Sequence, residues 1–337
     1  MKNKKFGVGL VGCGLIGSYR SEGLGKLGKL IAVTDKDIDR AKKISIAKNA
    51  QLFSSWREMI KLKEIDILII ATTHDSLSEI AVAAIKENKH ILIEKPAGRN
   101  SKEIKKIILA NKTRNKKVRI GFNHRYHRSF LKAKSIIESG KIGELMFIRA
   151  RYGHGARVGY DKEWRANPKI SGGGELLDQG SHLIDLSRLF LGNFDNVKGV
   201  MNTYYWDMEV DDNAFMILKN KSEQVAFLHV SCTEWKNTFS MEIYGKKGKL
   251  EVSGLGGSYG TERLTFYKMH KKMGPPETFA WEYPMKDNSW AVEIDELYRD
   301  ILENRTPSAG LNDALESIKI VEELSKESGY DHSKKSS

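Results

Sequence analysis

Short apolar runs alternate with longer amphipathic stretches over the first third of the chain. The runs are residues 6–11, 30–34, 65–70, 90–93 and 118–122. Apolar runs of this length are typical of strands in a parallel sheet that is covered on both faces. The stretches between them read as helices, and Ser76 with Glu79 has the spacing of a capping box at a helix start. The pattern predicts a doubly wound parallel sheet.

From about residue 145 the pattern changes to closely spaced strands of alternating polarity. The predicted strands are residues 145–152, 197–205, 214–218, 225–231, 240–244, 249–252 and 264–267. The alternation, and tight connections such as residues 245–248, favour antiparallel pairing. Helical stretches at 290–303 and 311–327 follow. We therefore expect an α/β plus α+β chain, with a mostly antiparallel open sheet in its second part.

A glycine-rich turn follows the first predicted strand, with Gly12, Gly14 and Gly17 in G-x-G-x-x-G spacing. Gly12 permits the tight turn, Gly14 lets the backbone approach a pyrophosphate, and Gly17 lets the helix pack closely on the strand. The helix N-terminus would present free N–H groups to the phosphates. Asp35 ends the next strand and would accept hydrogen bonds from the adenosine ribose. The pattern predicts a dinucleotide, with NAD preferred over NADP because Asp35 would repel a 2′-phosphate.

A lysine follows the fourth predicted strand, in the sequence Glu94-Lys95-Pro96. Ligands of open α/β sheets bind outside the carboxyl ends of the strands, where Lys95 would lie. Its ammonium group could polarise a carbonyl or lower the pKa of a hydroxyl; the alternative is an ordinary surface lysine. Pro96 allows a cis peptide bond before it.

One helix, residues 172–185, interrupts the second region and carries Asp178, His182 and Asp185 on one face. A histidine near its usual pKa can move the proton of a substrate hydroxyl, and a neighbouring carboxylate can orient its ring. An ordinary intrahelical Asp–His pair is the alternative. Carboxylate and imidazole at this spacing could also share a metal ion, but further ligands are not identifiable, so we predict no metal site.

Positive charge dominates the composition. The net charge is +13, and residues 99–134 contain thirteen Lys and Arg but one acid, Glu103. No nucleic-acid-binding motif accompanies the charge, so we expect no nucleic-acid partner; a solvated helix face or a field that steers an anionic substrate would account for it. Arginines bind phosphate and carboxylate groups with forked donors. Those that suggest an anionic substrate are Arg125, Arg128, Arg151, Arg157 and Arg165.

The sequence also bears on location. Two cysteines among 337 residues cannot form a disulfide framework, and no apolar run approaches the roughly 20 residues of a membrane helix. Residues 1–13 look like a lipoprotein signal, but Gly7 and Gly9 interrupt the apolar stretch and Cys13 lies inside the glycine motif. We expect a cytoplasmic protein without a membrane partner.

Taken in order, these motifs resemble the Gfo/Idh/MocA oxidoreductases, which include glucose–fructose oxidoreductase and inositol dehydrogenase. The resemblance rests on the glycine turn with Asp35, on Glu94-Lys95-Pro96, on residues 121–126 and on residues 172–185. It implies a Rossmann domain followed by a mostly antiparallel domain, a nicotinamide cofactor, and assembly as a homodimer or homotetramer. It also implies that Lys95, Asp178 and His182 are the catalytic residues. Residues 71–74, Ala-Thr-Thr-His, depart from the family's usual sequence near the cofactor.

The resemblance and the motifs together give a set of expectations. Residues 1–122 are the dinucleotide-binding domain, 123–330 the substrate-binding, catalytic-helix and oligomerisation domain, and 331–337 a polar tail. The cofactor residues are Gly12, Gly14, Leu15, Ile16, Gly17, Asp35, Thr72, Glu94 and Lys95. The substrate residues are Lys95, Asn123, Arg125, Tyr152, Arg157, Asp178 and His182.

The expected reaction is reversible, NAD(P)-dependent hydride transfer at a hydroxyl or keto carbon of a sugar derivative. The charge favours an anionic sugar: a nucleotide-sugar, a sugar phosphate or a sugar acid. The alternatives are a neutral polyol dehydrogenase of the inositol type and, from another class, an NAD-bound sensor without turnover.

Overall fold

The computed structural model describes residues 5–270 and 272–330, which form two compact units. The first contains the residues up to Asn123 together with Trp290–Leu315, and the second contains His124–Ser289 together with the residues from Glu316 onward. The predicted division placed residues 290–315 with the second region. They group with the first because α10 (Ser289–Leu302) contributes apolar side chains to its core. The predicted tail, 331–337, lies outside the described residues.

A six-stranded sheet of parallel strands forms the centre of the first unit, in the order β3-β2-β1-β4-β5-β6. Its strands are β1 (Phe6–Val11), β2 (Gly28–Thr34), β3 (Gln51–Leu52), β4 (Ile67–Ile70), β5 (His90–Ile93) and β6 (Val118–Ile120). The predicted parallel sheet is confirmed. The sequence missed β3, which is two exposed residues long. The strand order reverses between β1 and β4, and ligands bind at such a point in open α/β sheets.

Helices connect these strands. They are α1 (Leu15–Glu22), α2 (Ile38–Lys48), α3 (Trp56–Met59), α4 (His74–Lys86) and α5 (Ser101–Lys112). The helix predicted to begin at Ser76 begins at His74, after Thr73 as its N-cap. The helix thus starts two residues before the position that the capping-box spacing indicated, and its first residue is buried.

An eight-stranded sheet forms the second unit, in the order β14-β13-β12-β11-β7-β10-β9-β8. Its strands are β7 (Leu145–Gly153), β8 (Asn196–Asn202), β9 (Asn213–Lys219), β10 (Val225–Ser231), β11 (Thr238–Gly245), β12 (Gly248–Ser253), β13 (Glu262–Lys268) and β14 (Glu277–Tyr283). All neighbours are antiparallel except β7 and β10. The mostly antiparallel sheet is confirmed, and the largely exposed β14 is the strand that the sequence missed.

Five further helices accompany the sheets. They are α6 (Arg128–Glu138), α7 (Pro168–Ser171), α8 (Glu175–Asp178), α9 (Gly180–Leu191) and α11 (Leu311–Glu327). In the second unit, α9 packs against β7 and β10, while α6 packs against β12, β13 and β14. These contacts carry residues from distant parts of the sequence to the same side of the sheet.

Buried ion pairs connect α10 to the parallel sheet of the first unit. Arg119 on β6 donates to Asp300 at 2.5 and 3.0 Å, and both side chains are almost wholly buried. Arg20 on α1 lies between Glu94 and Glu293, at 2.6 and 2.5 Å. Burial raises the pKa of Glu293 to about 7, against the opposing effect of Arg20. Because buried charges need their partners, these pairs constrain where α10 packs.

Removal of one partner from a buried pair tests this constraint. We expect Asp300→Ala to lower the free energy of unfolding by about 3–5 kcal/mol, because the Arg119 guanidinium then stays buried without its carboxylate. Glu79→Ala is the matched control, since Glu79 pairs with Arg57 where both side chains are more than half exposed; its cost should stay below about 1 kcal/mol. Urea denaturation measures both, and equal losses would contradict the account.

Candidate active site

The glycine turn after β1 is closely packed on one side and open on the other. Gly12 has φ +93°, and a Cβ there would lie 2.4 Å from the Ala71 carbonyl oxygen. A Cβ on Gly17 would lie 2.0 Å from the Gly12 carbonyl oxygen. Beside Gly14, by contrast, the nearest atom to such a Cβ is Arg40 Nη1 at 3.9 Å. The outer side of the turn therefore has room for a bound group at Gly14.

The N-terminus of α1 adjoins this open side. Gly14 is the N-cap, and no side chain caps the helix. Leu15, the first helical residue, is 68% exposed, and Ile16 is partly exposed. An uncapped helix start with its positive dipole end outward is a favourable site for phosphate. The predicted cofactor residues of this turn thus fit a pyrophosphate.

Asp35, which follows β2, accepts a hydrogen bond from the same turn. Its Oδ2 accepts from the Cys13 N–H at 2.5 Å, and its Oδ1 accepts from the Asp37 N–H at 2.8 Å. A carboxylate oxygen can accept a second hydrogen bond, so each oxygen retains capacity for a ribose hydroxyl. The residues present therefore fit an NAD molecule along the turn.

Three further predicted cofactor residues follow β4 and β5. Thr72 lies between β4 and α4 and accepts a hydrogen bond from the Ser76 hydroxyl at 2.9 Å. Glu94 is buried, and Arg20 binds its carboxylate in an internal ion pair, so its contact with a cofactor stays a prediction. Lys95 is partly exposed. The Lys95–Pro96 peptide bond is cis.

The predicted single helix over 172–185 is two helices in the structure. Asp178 ends α8 and His182 lies in the first turn of α9, with Gln179 between them. The His182 N–H bonds to the Gln179 carbonyl, so the regular i to i−4 pattern is interrupted there. Asp211 sets the start of α8, because its carboxylate accepts from the N–H groups of Gly174 and Leu176 at 3.0 and 2.7 Å.

Asp178 has a partner that the sequence did not indicate. Arg165 Nε donates to Asp178 Oδ2 at 3.0 Å. The same guanidinium lies over the Trp164 ring, 4.5 Å from its centroid. The ion pair fixes the position of the Asp178 carboxylate at the end of α8.

His182 lies among aromatic rings. Its imidazole stacks on His124, with centroids 3.7 Å apart and planes 16° apart. Tyr152, a predicted substrate residue at the end of β7, meets the His182 ring at 6.3 Å in an edge arrangement. Burial and then Tyr259 raise the pKa of Tyr152 well above its usual value, so its hydroxyl keeps its proton. The structure therefore brings two predicted residues together and adds His124.

The arginines that suggested an anionic substrate are paired with protein groups. Arg125 binds Asp185 on α9 at 2.5 and 2.7 Å, and both are buried, so this guanidinium anchors residues 123–126 on α9, and its contact with a substrate stays a prediction. Arg157 is largely exposed and pairs with Glu163 at 2.6 Å. Arg128 donates to a backbone carbonyl, and Arg151 lies 3.8 Å from Glu234. The predicted substrate residue Asn123 is buried at the end of the first unit.

A second polar cluster lies beside α8. Tyr160 donates to Glu175 Oε1 at 2.8 Å, and His154 Nε2 lies 3.6 Å from Glu175 Oε2. Burial and the Glu175 carboxylate raise the pKa of Tyr160. Sequence reasoning did not single out Glu175, although it is the one acid directly after the three glycines at 172–174.

Over residues 5–270 and 272–330, no group of three or more His, Cys, Asp or Glu side chains is arranged to hold a metal ion. In the same part of the chain, no helix has the length and apolar character needed to span a bilayer.

Two family models match the chain. "Oxidoreductase family, NAD-binding Rossmann fold" matches residues 6–122, and "GFO/IDH/MocA C-terminal domain" matches residues 130–251. Among solved structures, levoglucosan dehydrogenase in complex with NADH and levoglucosan has a TM-score of 0.88 at 22% identity, with 97% of this chain and 98% of that chain covered. This likeness establishes the fold over nearly the whole length.

Curated relatives match over shorter segments. Levoglucosan dehydrogenase of Pseudarthrobacter phenanthrenivorans is 35% identical over 153 residues, which are 45% of this chain and 39% of that protein. Inositol 2-dehydrogenase of Salmonella typhimurium is 30% identical over 157 residues, 45% of this chain and 47% of that protein. Both matches therefore span less than half of the relative. Myo-inositol 2-dehydrogenase of Thermotoga maritima is 25% identical over 252 residues, 72% of this chain and 74% of that protein.

The position of Asp35 leads to a binding prediction. Asp35→Asn should weaken NAD binding about tenfold, because the side-chain amide has one acceptor oxygen in place of two and loses a backbone or ribose hydrogen bond. Isothermal titration calorimetry measures the dissociation constant. Asp37→Asn is the control, since that side chain caps α2 and its substitution keeps the backbone N–H that binds Asp35. Equal NAD affinity in Asp35→Asn and the unchanged protein would contradict the assignment.

Proposed function

Because the chain belongs to the Gfo/Idh/MocA oxidoreductases, we propose that it is an NAD-dependent dehydrogenase that oxidises a hydroxyl group of a neutral sugar or polyol. The observation that carries the proposal is the buried imidazole of His182 at the start of α9, beside Tyr152 and four residues after Asp178 at the end of α8. A glycine turn that fits a pyrophosphate supports the cofactor. The curated relatives named above are dehydrogenases of levoglucosan and inositol, which are uncharged.

A neutral substrate agrees better than an anionic one with the charges on the second unit. Of the arginines that suggested an anion, Arg125 is buried against Asp185, Arg165 binds Asp178, and Arg157 binds Glu163. A phosphate or carboxylate would have to compete with these internal carboxylates for each guanidinium. Hydroxyl groups need only hydrogen-bond partners, which histidine, tyrosine and carboxylate side chains supply.

His182 is proposed as the base that takes the proton from the substrate hydroxyl. Asp178, held by Arg165, is proposed to position the site beside His182. Lys95 is proposed to donate a hydrogen bond to the reacting oxygen and to stabilise negative charge on it. When bound, NAD would supply the acceptor for the hydride from the carbinol carbon. In the reverse direction His182 returns the proton to the oxygen.

The exposed face of the second sheet supports assembly into a homodimer or homotetramer. Phe147, Phe215, Ile217 and Phe227 are each about two-fifths exposed or more and lie on neighbouring strands. Contiguous apolar side chains of this kind are typical of interaction surfaces. We propose that the assembly acts in the cytoplasm on a small-molecule sugar.

Replacement of His182 tests the proposed chemistry. His182→Asn should lower kcat by roughly 10²–10⁴ because the asparagine amide cannot take up the hydroxyl proton. NAD affinity should stay unchanged, since His182 belongs to the second unit and the glycine turn to the first. Steady-state kinetics and calorimetry measure the two quantities.

His270→Asn is the control, because His270 is exposed after β13. Its kcat should equal that of the unchanged protein. If His182→Asn also kept its full kcat, His182 would not be the base.

A further inference from the structure

Two adjacent residues of the short turn at residues 123–126, His124 and Arg125, contact two residues of α9. His124 stacks on His182, and Arg125 pairs with Asp185. Residues 182 and 185 are three apart and therefore lie on the same side of the helix. Because the Arg125–Asp185 bonds fix the turn on α9, they also fix the preceding imidazole over the imidazole of His182.

The rings of His124 and His182 are closer to each other than either is to its other aromatic neighbours. Their centroids lie 3.7 Å apart, and both side chains are largely buried. His127 meets His124 edge-on at 5.5 Å and 89°. Tyr152 approaches His124 to 5.3 Å and His182 to 6.3 Å. Stacked rings at this distance share one environment, so a charge on either ring acts directly on the other.

Charged groups surround the pair from several elements. His127, at the start of α6, has its Nδ1 3.2 Å from Glu262 on β13 and 3.7 Å from Asp287. Asp178 on α8 binds Arg165. Asp178 and Asp185 are each paired with one arginine, whereas Glu262 and Asp287 face the same imidazole of His127. A second proton on the stacked pair would place two positive charges on rings whose centroids are 3.7 Å apart.

We propose that His124 is a positioning residue for His182, and that the stacked pair takes up one proton readily and a second only at much lower pH. Two imidazolium rings this close repel each other, and burial reduces the screening of that repulsion by water. Such groups bind protons in two steps that belong to the pair. The assignment of catalysis to His182 rests on the proposed function, whereas the coupling itself does not.

The coupling has a consequence for the chemistry. When His182 takes the substrate's hydroxyl proton, that proton becomes the one charge of the pair, so His124 must be neutral at that moment. A proton already present on either ring would oppose the transfer. His124 therefore orients the base by its stacked face and makes proton uptake depend on the state of both rings. A phenylalanine could supply the face but not this dependence.

Histidine titration by NMR measures the coupling. The full-length chain, labelled with ¹³C and ¹⁵N in its nine histidines, is titrated over about pH 4–9, and signals are assigned by substitution. In the unchanged protein we expect two proton-uptake steps for the pair, separated by at least about one pH unit. In His124→Phe and in His182→Phe, the remaining imidazole should titrate in one step. The midpoint of that step should lie at least about one pH unit above the lower of the two midpoints of the unchanged protein.

The chain contains its own control. His229 stacks on Phe215 with centroids 4.2 Å apart and planes 6° apart, so its partner carries no proton. Burial lowers the pKa of His229. Its signal should show a single step in all three proteins. This control separates the effect of a stacked ring from the effect of a second titrating ring.

Independent titration would overturn the inference. In that case the removal of one ring would leave the titration midpoint of the other ring unchanged, both in His124→Phe and in His182→Phe. Circular dichroism checks that the variants fold, and His124→Gln replaces His124→Phe if the larger ring is not accepted. The titration needs no substrate, so its result does not depend on the proposed function. If His182→Asn lost turnover while the two rings titrated independently, the proposed function would stand and the coupling would be rejected.

Discussion

The buried pair between Arg125 and Asp185 is the interaction on which the candidate active site depends. It joins the turn at residues 123–126 to α9, although Arg125 and Asp185 are 60 residues apart in sequence. Without the carboxylate, the guanidinium would be buried and uncompensated, so the pair strongly favours one packing of the turn on the helix. The stacking of His124 on His182 follows from it. An arginine that the sequence suggested for substrate binding thus acts as the anchor of the site.

The pairing of arginines with carboxylates inside the protein also accounts for the difference between the predicted anionic substrate and the proposed neutral one. The sequence has an excess of cations over residues 99–134, and charge counting leaves open whether they form a solvated helix face or a field that steers an anionic substrate. In the fold, Arg119 and Arg125 are each buried against one aspartate, and Arg99 pairs with Glu103 one turn away. Most of the partners come from distant parts of the chain. Composition cannot reveal such pairs, because it contains no information about which residues meet.

Local pattern was sufficient for most of the fold. The five longer parallel strands and seven of the eight strands of the second sheet were predictable because each buries at least one face and therefore shows a run or an alternation of apolar residues. Gln51–Leu52 and Glu277–Tyr283 lack such a repeat because they are edge strands with exposed side chains. The start of α8 was not predictable, since Asp211 sets it from a later loop. The glycine turn and Asp35 were identifiable because their geometry is local, whereas His124 and Arg165 acquire their partners only through packing.

The central claim is oxidation of a neutral sugar or polyol by NAD with His182 as base. The most direct test measures NAD reduction by the purified chain with levoglucosan and myo-inositol, beside a sugar phosphate and a uronic acid. The account predicts turnover with at least one neutral compound, at a kcat/KM at least about tenfold above that of the anionic compounds, a difference of about 1.4 kcal/mol in transition-state binding. Turnover with the anionic compounds alone, or bound NAD without turnover of any compound, would contradict it.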